Sequence, residues 1–194
     1  LKACRLRLVS GGNTVAEESG EVLFTDYGLS GIPALQVSGA ANGVDGKQIN
    51  AVIDLLPQIT EGDAAERLQE RYKIFKDAEP EYFLTGWFHK RIGQALLREI
   101  KLMPSSGGEY CNRLARLMKN WAFPVTGVKG FSHAQVTGGG VPLNEFVPET
   151  MSSRLVPGLF AAGEVLDVYG DCGGYNLHWA WTTGMLAGQG AVNA

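Results

Sequence analysis

The sequence has no run of basic residues, no apolar stretch long enough to span a bilayer and no C-x-x-C pair. Each absence closes a class of function. Without clustered Lys or Arg there is no footprint for a phosphate backbone, and 17 basic against 20 acidic side chains leave a net charge of −3. Without roughly 18 consecutive apolar residues there is no candidate transmembrane helix. The three cysteines, Cys4, Cys111 and Cys172, are odd in number and far apart, which supports neither a disulfide framework nor a zinc site. Nucleic acid, membrane and metal are therefore not expected partners, and reduced thiols point to a cytoplasmic protein. An initiator Met and a signal-peptide pattern are also lacking. The chain begins LKACRLRLV, directly in strand-like alternation, and reads as a piece cut from a longer protein.

What the sequence does have is glycine, 26 in 194 residues, grouped at 137–140, 158–174 and 184–190 without forming a repeat. Such groups mark tight turns and close backbone approaches. The first 57 residues read mainly as strand. Cys4, Leu6 and Leu8 alternate with arginines, Ile49 to Leu55 alternate likewise, EVLFT at 21–25 is a third strand, and SGGN at 10–13 is a turn. Within this part SGIPALQVSGAANG reads as a short helix, with Pro33 near its start and Gly39 or Gly43 at its end.

From Thr60 the period becomes helical. Thr60 and Asp63 have the spacing of a capping box with Asp in place of Glu, and Ala65, Leu68, Tyr72 and Phe75 follow on one face. Ile92, Leu96, Ile100 and Met103 make a second stripe, and Tyr110, Leu114, Met118 and Trp121 a third, with breaks at 104–108. These predict a small helical subdomain over 58–121. At Phe123 the pattern returns to strand, and FPVTGV and FSHAQVT, split by Lys129 and Gly130, predict a hairpin that rejoins the first sheet.

The tail PGLFAAGEVLDVYGDCGGYNLHWAWTTGMLAG carries the chemistry. Residues 158–162 are all small or apolar and predict a strand buried on both faces, as in a parallel sheet, whose ligands bind beyond the carboxyl end. Glu164 stands there, with Asp167 three residues on, and a carboxylate in that place accepts hydrogen bonds from sugar or polyol hydroxyls. The loop YGDCGGYN then starts a helix, with Asp171 or Asn176 as N-cap, whose free N–H groups over Gly173 to Leu177 suit an anion or an electron-rich carbonyl. Apolar residues all round that helix predict burial on several sides.

The strings GEVLFTDYGLSGIPALQVS, QVTGGGVPLNEFVPETMSSRLVPGLFAAGE and GLFAAGEVLDVYGDCGGYNLHWAW, in that order, resemble the bacterial NAD(P)/FAD-dependent oxidoreductases, the aminoacetone-oxidase-like FAD-binding family. The likeness covers nearly the whole chain. It implies a multidomain α+β fold: an FAD domain of the glutathione-reductase type, Rossmann-like, carrying a β-barrel-like insert and a helical subdomain. The barrel would be 1–57 with 122–136, the helical part 58–121, and the C-terminal portion of the FAD domain 137–194. Gly163 and Glu164 match the position that holds the flavin ribityl chain, with Asp167 beside them. Gly173, Gly174, Tyr175, Asn176 and Leu177 match the helix start facing the pyrimidine edge of the isoalloxazine. Thr137 to Gly140, Gly139 included, would lie close to the ring, as in fumarate-reductase-like flavoproteins. A helix N-terminus there stabilises the negative charge of the reduced flavin.

Two departures qualify the likeness. No G-x-G-x-x-G strand–turn–helix occurs, and TGGGVP does not qualify, so the chain by itself is expected to bind FAD weakly and activity to belong to the intact protein. The family often has His where Asp26 stands, so the resemblance carries no proton-transfer role over to that position, and no catalytic residue is assigned. His89, His133, His178 and Cys172 read as structural, and Tyr27 and Ser30 as candidates for the substrate side. The expected reaction moves electrons between a small organic substrate, an amine or an unsaturated carbonyl compound among others, and flavin, with NAD(P)H or oxygen as the electron partner. The competing reading is a non-redox barrel-and-helix binding module, which would purify colourless. Oligomeric state is not set by any of these features.

Overall fold

The computed structural model describes residues 3–42, 48–75, 79–100 and 107–194. They belong to two compact units, Leu1–Val128 and Lys129–Ala194.

In the first unit the alternation that begins at Cys4 becomes β1 (Cys4–Ser10), with Cys4, Leu6 and Leu8 buried. Gly11 and Gly12, at φ 57° and 82°, make the tight turn into β2 (Asn13–Gly20). Two positive φ values in a two-residue loop match the twist of the strands it joins. The polar, acidic sequence NTVAEESG carries no strand signal of its own. It is a strand because it is an edge, paired to β1 on one side and wet on the other.

EVLFT forms β3 (Leu23–Thr25), which pairs with β4 (Gly28–Ser30) as a separate hairpin. Gly31 ends it at φ +96°, where an added Cβ would lie 2.2 Å from the Glu21 carbonyl oxygen, so only glycine fits. Helix α1 (Ile32–Asn42) opens with Pro33 in its first turn, as expected, but runs through Gly39. Gly43, the other predicted stop, lies outside the described residues.

Strand β5 (Ile49–Asp54) pairs antiparallel with β1, completing its inward row with Ile49, Ala51 and Ile53. Helix α2 (Glu61–Phe75) starts at the expected capping box. Asp63 Oδ2 accepts from the Thr60 N–H (3.1 Å) and hydroxyl (2.7 Å), while the Asp63 N–H donates to Thr60 Oγ1 (3.1 Å). Leu68 of α2, Leu96 and Ile100 of α3 (Lys90–Ile100), and Tyr110, Leu114 and Met118 of α4 (Gly107–Lys119) share one core with the sheet. Met103 and the breaks at 104–106 lie outside the described residues. Trp121 does not continue the α4 stripe. The helix stops at Lys119, and Trp121 opens β6 (Trp121–Pro124), which pairs with β5 and rejoins the first sheet.

The sheet order is β2-β1-β5-β6. Among the described residues the strands form no closed barrel, because β2 and β6 are unpaired outer edges and β3-β4 is a sheet of its own. The expected second arm of the 123–136 hairpin is also absent. Phe131–His133 is a 3₁₀ turn with Phe131 84% exposed, and the strand-prone residues there find no neighbour to pair with. No helix among the described residues is long and apolar enough to cross a membrane.

Lys119 closes the neck from which α2, α3 and α4 emerge. Its ammonium donates to the Leu56 and Ile59 carbonyls and to Asp54 Oδ2, each at 2.7 Å, and both charged side chains are nearly buried. Asp54 in turn accepts the Leu56 N–H at 2.9 Å. Removing one member of such a pair strands the other charge. Lys119→Met should therefore cost about 3–5 kcal/mol in urea unfolding, whereas Lys119→Arg should cost less.

Asp63 has its carboxyl pKa lowered by the Thr60 hydrogen bonds. A lowered folded-state pKa adds stability above the unfolded value that is lost as pH falls through the folded one. Acidification should accordingly fray the start of α2, and Thr60→Val should remove most of that pH dependence in helical circular dichroism.

Candidate functional site

The second unit, Lys129–Ala194, holds the residues singled out as a site. Its tail departs from the expected strand. Residues 158–162 are not a strand buried on both faces. Phe160 makes a single antiparallel bridge to Ser152, and Leu159 is 46% exposed. The reason is pairing: among the described residues the segment's backbone neighbour is 151–153, with no parallel strand alongside.

The chain then turns at Gly163 into a 3₁₀ turn, Gly163–Val165, which carries Glu164. The Gly163 peptide is gripped by the last helix, α5 (Tyr175–Val192). Its N–H donates to the buried Thr183 Oγ1 (2.9 Å), its carbonyl accepts from Trp179 Nε1 (3.2 Å), and the Thr183 hydroxyl donates back to the Trp179 carbonyl (2.7 Å). Gly163 is at φ +72°, a backbone angle that favours glycine. Neither Thr183 nor Trp179 stood out in the sequence. A Thr within the mostly apolar run WAWTTGMLAG was the available signal, since a buried hydroxyl needs a partner.

Glu164 and Asp167 both face the Thr137–Gly140 loop. Glu164 Oε1 accepts the Thr137 N–H (2.5 Å) and Asp167 Oδ1 the Gly139 N–H (3.1 Å). Two further bonds continue the register, from Val141 N–H to the Val165 carbonyl (2.8 Å) and from Asp167 N–H to the Val141 carbonyl (2.9 Å), around the parallel bridge of Val141 to Leu166. Gly140 lies so close to Val165 that a Cβ would come within 2.6 Å of its carbonyl oxygen. Four predicted residues, Thr137, Gly139, Glu164 and Asp167, are thus brought together.

Helix α5 begins differently from either expected cap. Its N-cap is Gly174, left-handed at φ 92°, and no side chain caps it. Asn176 instead sits inside the first turn and closes the preceding loop. Its Oδ1 accepts the Gly170 N–H (2.7 Å) and its Nδ2 donates to the Gly170 carbonyl (3.0 Å). Those two bonds fold YGDCGGY back so that Gly173, at φ 152°, and Gly174 lead straight into the helix. With no capping side chain, the first-turn N–H groups carry the partial positive end of an 18-residue helix toward solvent. Beside them a depression is lined by Val168, Gly170, Tyr175, His178 and Trp179.

Burial of α5 on several sides is not observed. Leu177, Trp181 and Met185, at i, i+4 and i+8, are 62%, 73% and 60% exposed, and Thr183 is the helix's buried residue. The second unit's core is small, with Phe146, Met151 and Leu166 buried, and it covers one side of the helix.

The remaining candidates sit apart. In the first unit Cys4 and Cys111 are buried, and burial pushes both thiols up, Cys111 to about 11, so they are protonated and inert at neutral pH. His89 precedes α3 and caps it, with Nδ1 accepting the Arg91 N–H at 3.3 Å. His133 pairs with the neighbouring Ser132 hydroxyl at 3.0 Å. Asp26 and Tyr27 form the two-residue turn between β3 and β4, and Ser30 ends β4.

A profile described as the HI0933-like protein Rossmann domain matches residues 10–190. The chain belongs to this family. It is 37% identical over 193 residues, 94% of this chain and 46% of the relative, to the 3-dehydro-bile acid delta(4,6)-reductase of Clostridium scindens. It is also similar to two ribosomal RNA dihydrouridine synthases. One, from Escherichia coli, is 32% identical, covering 94% of this chain and 46% of the relative. The other, from Haemophilus influenzae, is 31% identical, covering 84% and 40%. The chain thus spans about half the length of the curated relatives it matches. This bears out the coarse expectation of an FAD-type oxidoreductase family with a Rossmann-like, mixed α/β domain, without singling out the aminoacetone-oxidase-like branch.

The grip on Gly163 is testable. Thr183→Val leaves the buried Gly163 N–H without an acceptor and should destabilise the protein by about 1–3 kcal/mol in denaturant unfolding. Thr183→Ser, which keeps the hydroxyl, should lie much closer to the parent.

Proposed function

We propose that this chain supplies the flavin-facing C-terminal part of an FAD-dependent reductase that saturates a carbon–carbon double bond conjugated to a carbonyl. The observation that carries the reading is the uncapped start of α5, held by the Gly163 clamp next to a carboxylate-bearing turn. Residues present fit the cofactor. Glycines at 173 and 174 admit a flat ligand to the backbone, and the helix dipole favours charge of the sign that reduction places on the pyrimidine edge. Glu164 uses Oε1 internally, and its second oxygen is the candidate acceptor for ribityl hydroxyls. Tyr175, Asn176 and Leu177 complete the helix start. On this reading 137–194 belongs to the FAD domain, with 1–57, 122–136 and the helical 58–121 as its inserts.

The relatives narrow the chemistry. A delta(4,6)-reductase acting on a 3-dehydro steroid acid and a dihydrouridine synthase both saturate a carbon–carbon double bond conjugated to a carbonyl. The flavin, when bound, supplies two-electron transfer. The substrate takes a hydride on the carbon β to the carbonyl and a proton on the α carbon, and NAD(P)H is the reductant whose oxidation balances them. What this chain adds is orientation and charge stabilisation, since none of the described residues is assigned as the proton donor.

Between a small enone and RNA, charge favours the first. The second unit carries Lys129 and Arg154 against Glu145, Glu149, Glu164, Asp167 and Asp171. That surface repels a phosphate backbone. The similarity to the two RNA-modifying relatives supports the second reading, in which uridine in ribosomal RNA is the acceptor.

One experiment separates them. The full-length protein containing this chain should purify yellow, or turn yellow with added FAD. Its flavin, reduced anaerobically, should be reoxidised by a conjugated steroid dienone and not by the saturated ketone. Reoxidation by unmodified ribosomal RNA alone would select the second reading. A protein that takes up no FAD, or a reduced flavin that neither acceptor reoxidises, would overturn the proposal.

A further inference from the structure

The carboxylate of Asp167 matches the polyol-binding chemistry expected of the site, yet it is spent on the protein's own backbone. Three alternate amides of the loop, those of Thr137, Gly139 and Val141, all donate to the 164–167 segment. They go to Glu164 Oε1, Asp167 Oδ1 and the Val165 carbonyl. This is the spacing of one edge of a parallel ladder, with two side-chain carboxylates standing where main-chain carbonyls would be. The alternate amides left over, those of Gly138 and Gly140, have no acceptor among the described residues. Gly139 and Gly140 have φ of +86° and +154°, which no other residue type adopts readily, so the loop's shape depends on what holds it. The hold at Gly139 is the Asp167 carboxylate.

We propose that Asp167 is a positioning residue. Its carboxylate fixes the Gly138–Gly140 backbone in the shape that leaves the Gly138 and Gly140 N–H groups free to donate to the electron-rich edge of a bound flavin. This rests on the flavin reading above and, within the Thr137–Gly140 loop expected near the ring, assigns the donating amides to Gly138 and Gly140. A charge-assisted hydrogen bond to a backbone amide is among the stronger ones available, and one bond of that scale changes a local opening equilibrium by about tenfold or more. Asn at 167 retains the accepting oxygen, whereas Ala and Ser do not reach.

The test is amide hydrogen exchange, read by mass spectrometry on peptides spanning 135–142, in the full-length protein with and without added FAD. Variants are Asp167→Ala, Asp167→Ser and Asp167→Asn. Asp167 is exposed, so the Ala variant is expected to fold, and Ser is the substitute if it does not. Without FAD, exchange in the loop should be about tenfold faster in the Ala or Ser variant and near the parent in Asn. FAD should slow exchange of the loop in the parent and in Asn, and its dissociation constant should rise by about tenfold in Ala or Ser.

Parent-like exchange in the Ala and Ser variants would overturn the clasp. Faster exchange in those variants with unchanged FAD affinity would make it structural only and overturn the positioning role. FAD that binds the parent without slowing the loop would refute the Gly138 and Gly140 donors while leaving the flavin reading standing. A parent that binds no FAD would end that reading itself, with the clasp still judged by the Ala and Asn contrast.

Discussion

Everything at the candidate site depends on where the Gly163 peptide sits. Its N–H and its carbonyl are both taken by α5, through Thr183 and the Trp179 indole. The backbone donor and acceptor of one residue, on its two flanking peptide groups, are thereby satisfied by two side chains one helical turn apart. That geometry fixes the turn bearing Glu164 relative to the helix, and through the bonds from 164–167 it fixes the Thr137–Gly140 loop as well. The three pieces of the site are therefore one hydrogen-bonded assembly, built from a segment that otherwise buries little. Buried polar groups that are fully satisfied specify a unique arrangement in a way that apolar contact alone does not.

The two units reach stability by different means. Leu1–Val128 has an extensive core in which sheet and helices interlock, with Leu6, Ile53, Leu68, Leu96, Leu114 and Met118 all fully buried. Lys129–Ala194 buries Phe146, Met151 and Leu166, and leaves Leu177, Trp181 and Met185 in solvent along one stripe of α5. Hydrogen bonds from side chain to backbone carry a larger share of its order. Glycines at positive φ permit them by letting backbones approach where a Cβ would collide, as at Gly140 beside Val165.

Local chemistry was the legible part of the sequence. The capping box at Thr60 and Asp63, the turn at Gly11 and Gly12, the inward rows of β1 and β5, the stripe of α2, that of α3 as far as Ile100 and that of α4 as far as Met118 are set by near neighbours and are present. Pairing was not legible. β2 is a strand by virtue of lying beside β1, whereas GLFAA, with far better strand residues, pairs with 151–153 at a single bridge and is only partly buried. At the site, the convergence of Thr137, Gly139, Glu164 and Asp167 followed from the motif resemblance. Their mutual bonds, and the use of Asn176 to close its loop, depend on contacts 6 to 28 residues apart in the chain that no periodicity encodes.

The helical excursion leaves and re-enters the sheet at one place. β5 ends at Asp54 and β6 begins at Trp121, and the two strands are paired with Ile53 opposite Trp121. The chain therefore leaves the sheet and returns to it at adjoining ladder positions, like luggage on a handle. The ladder thus pins both ends of the excursion, while its helices share the core that the sheet covers. With its two ends held side by side, such a loop costs little more entropy to close as it grows longer.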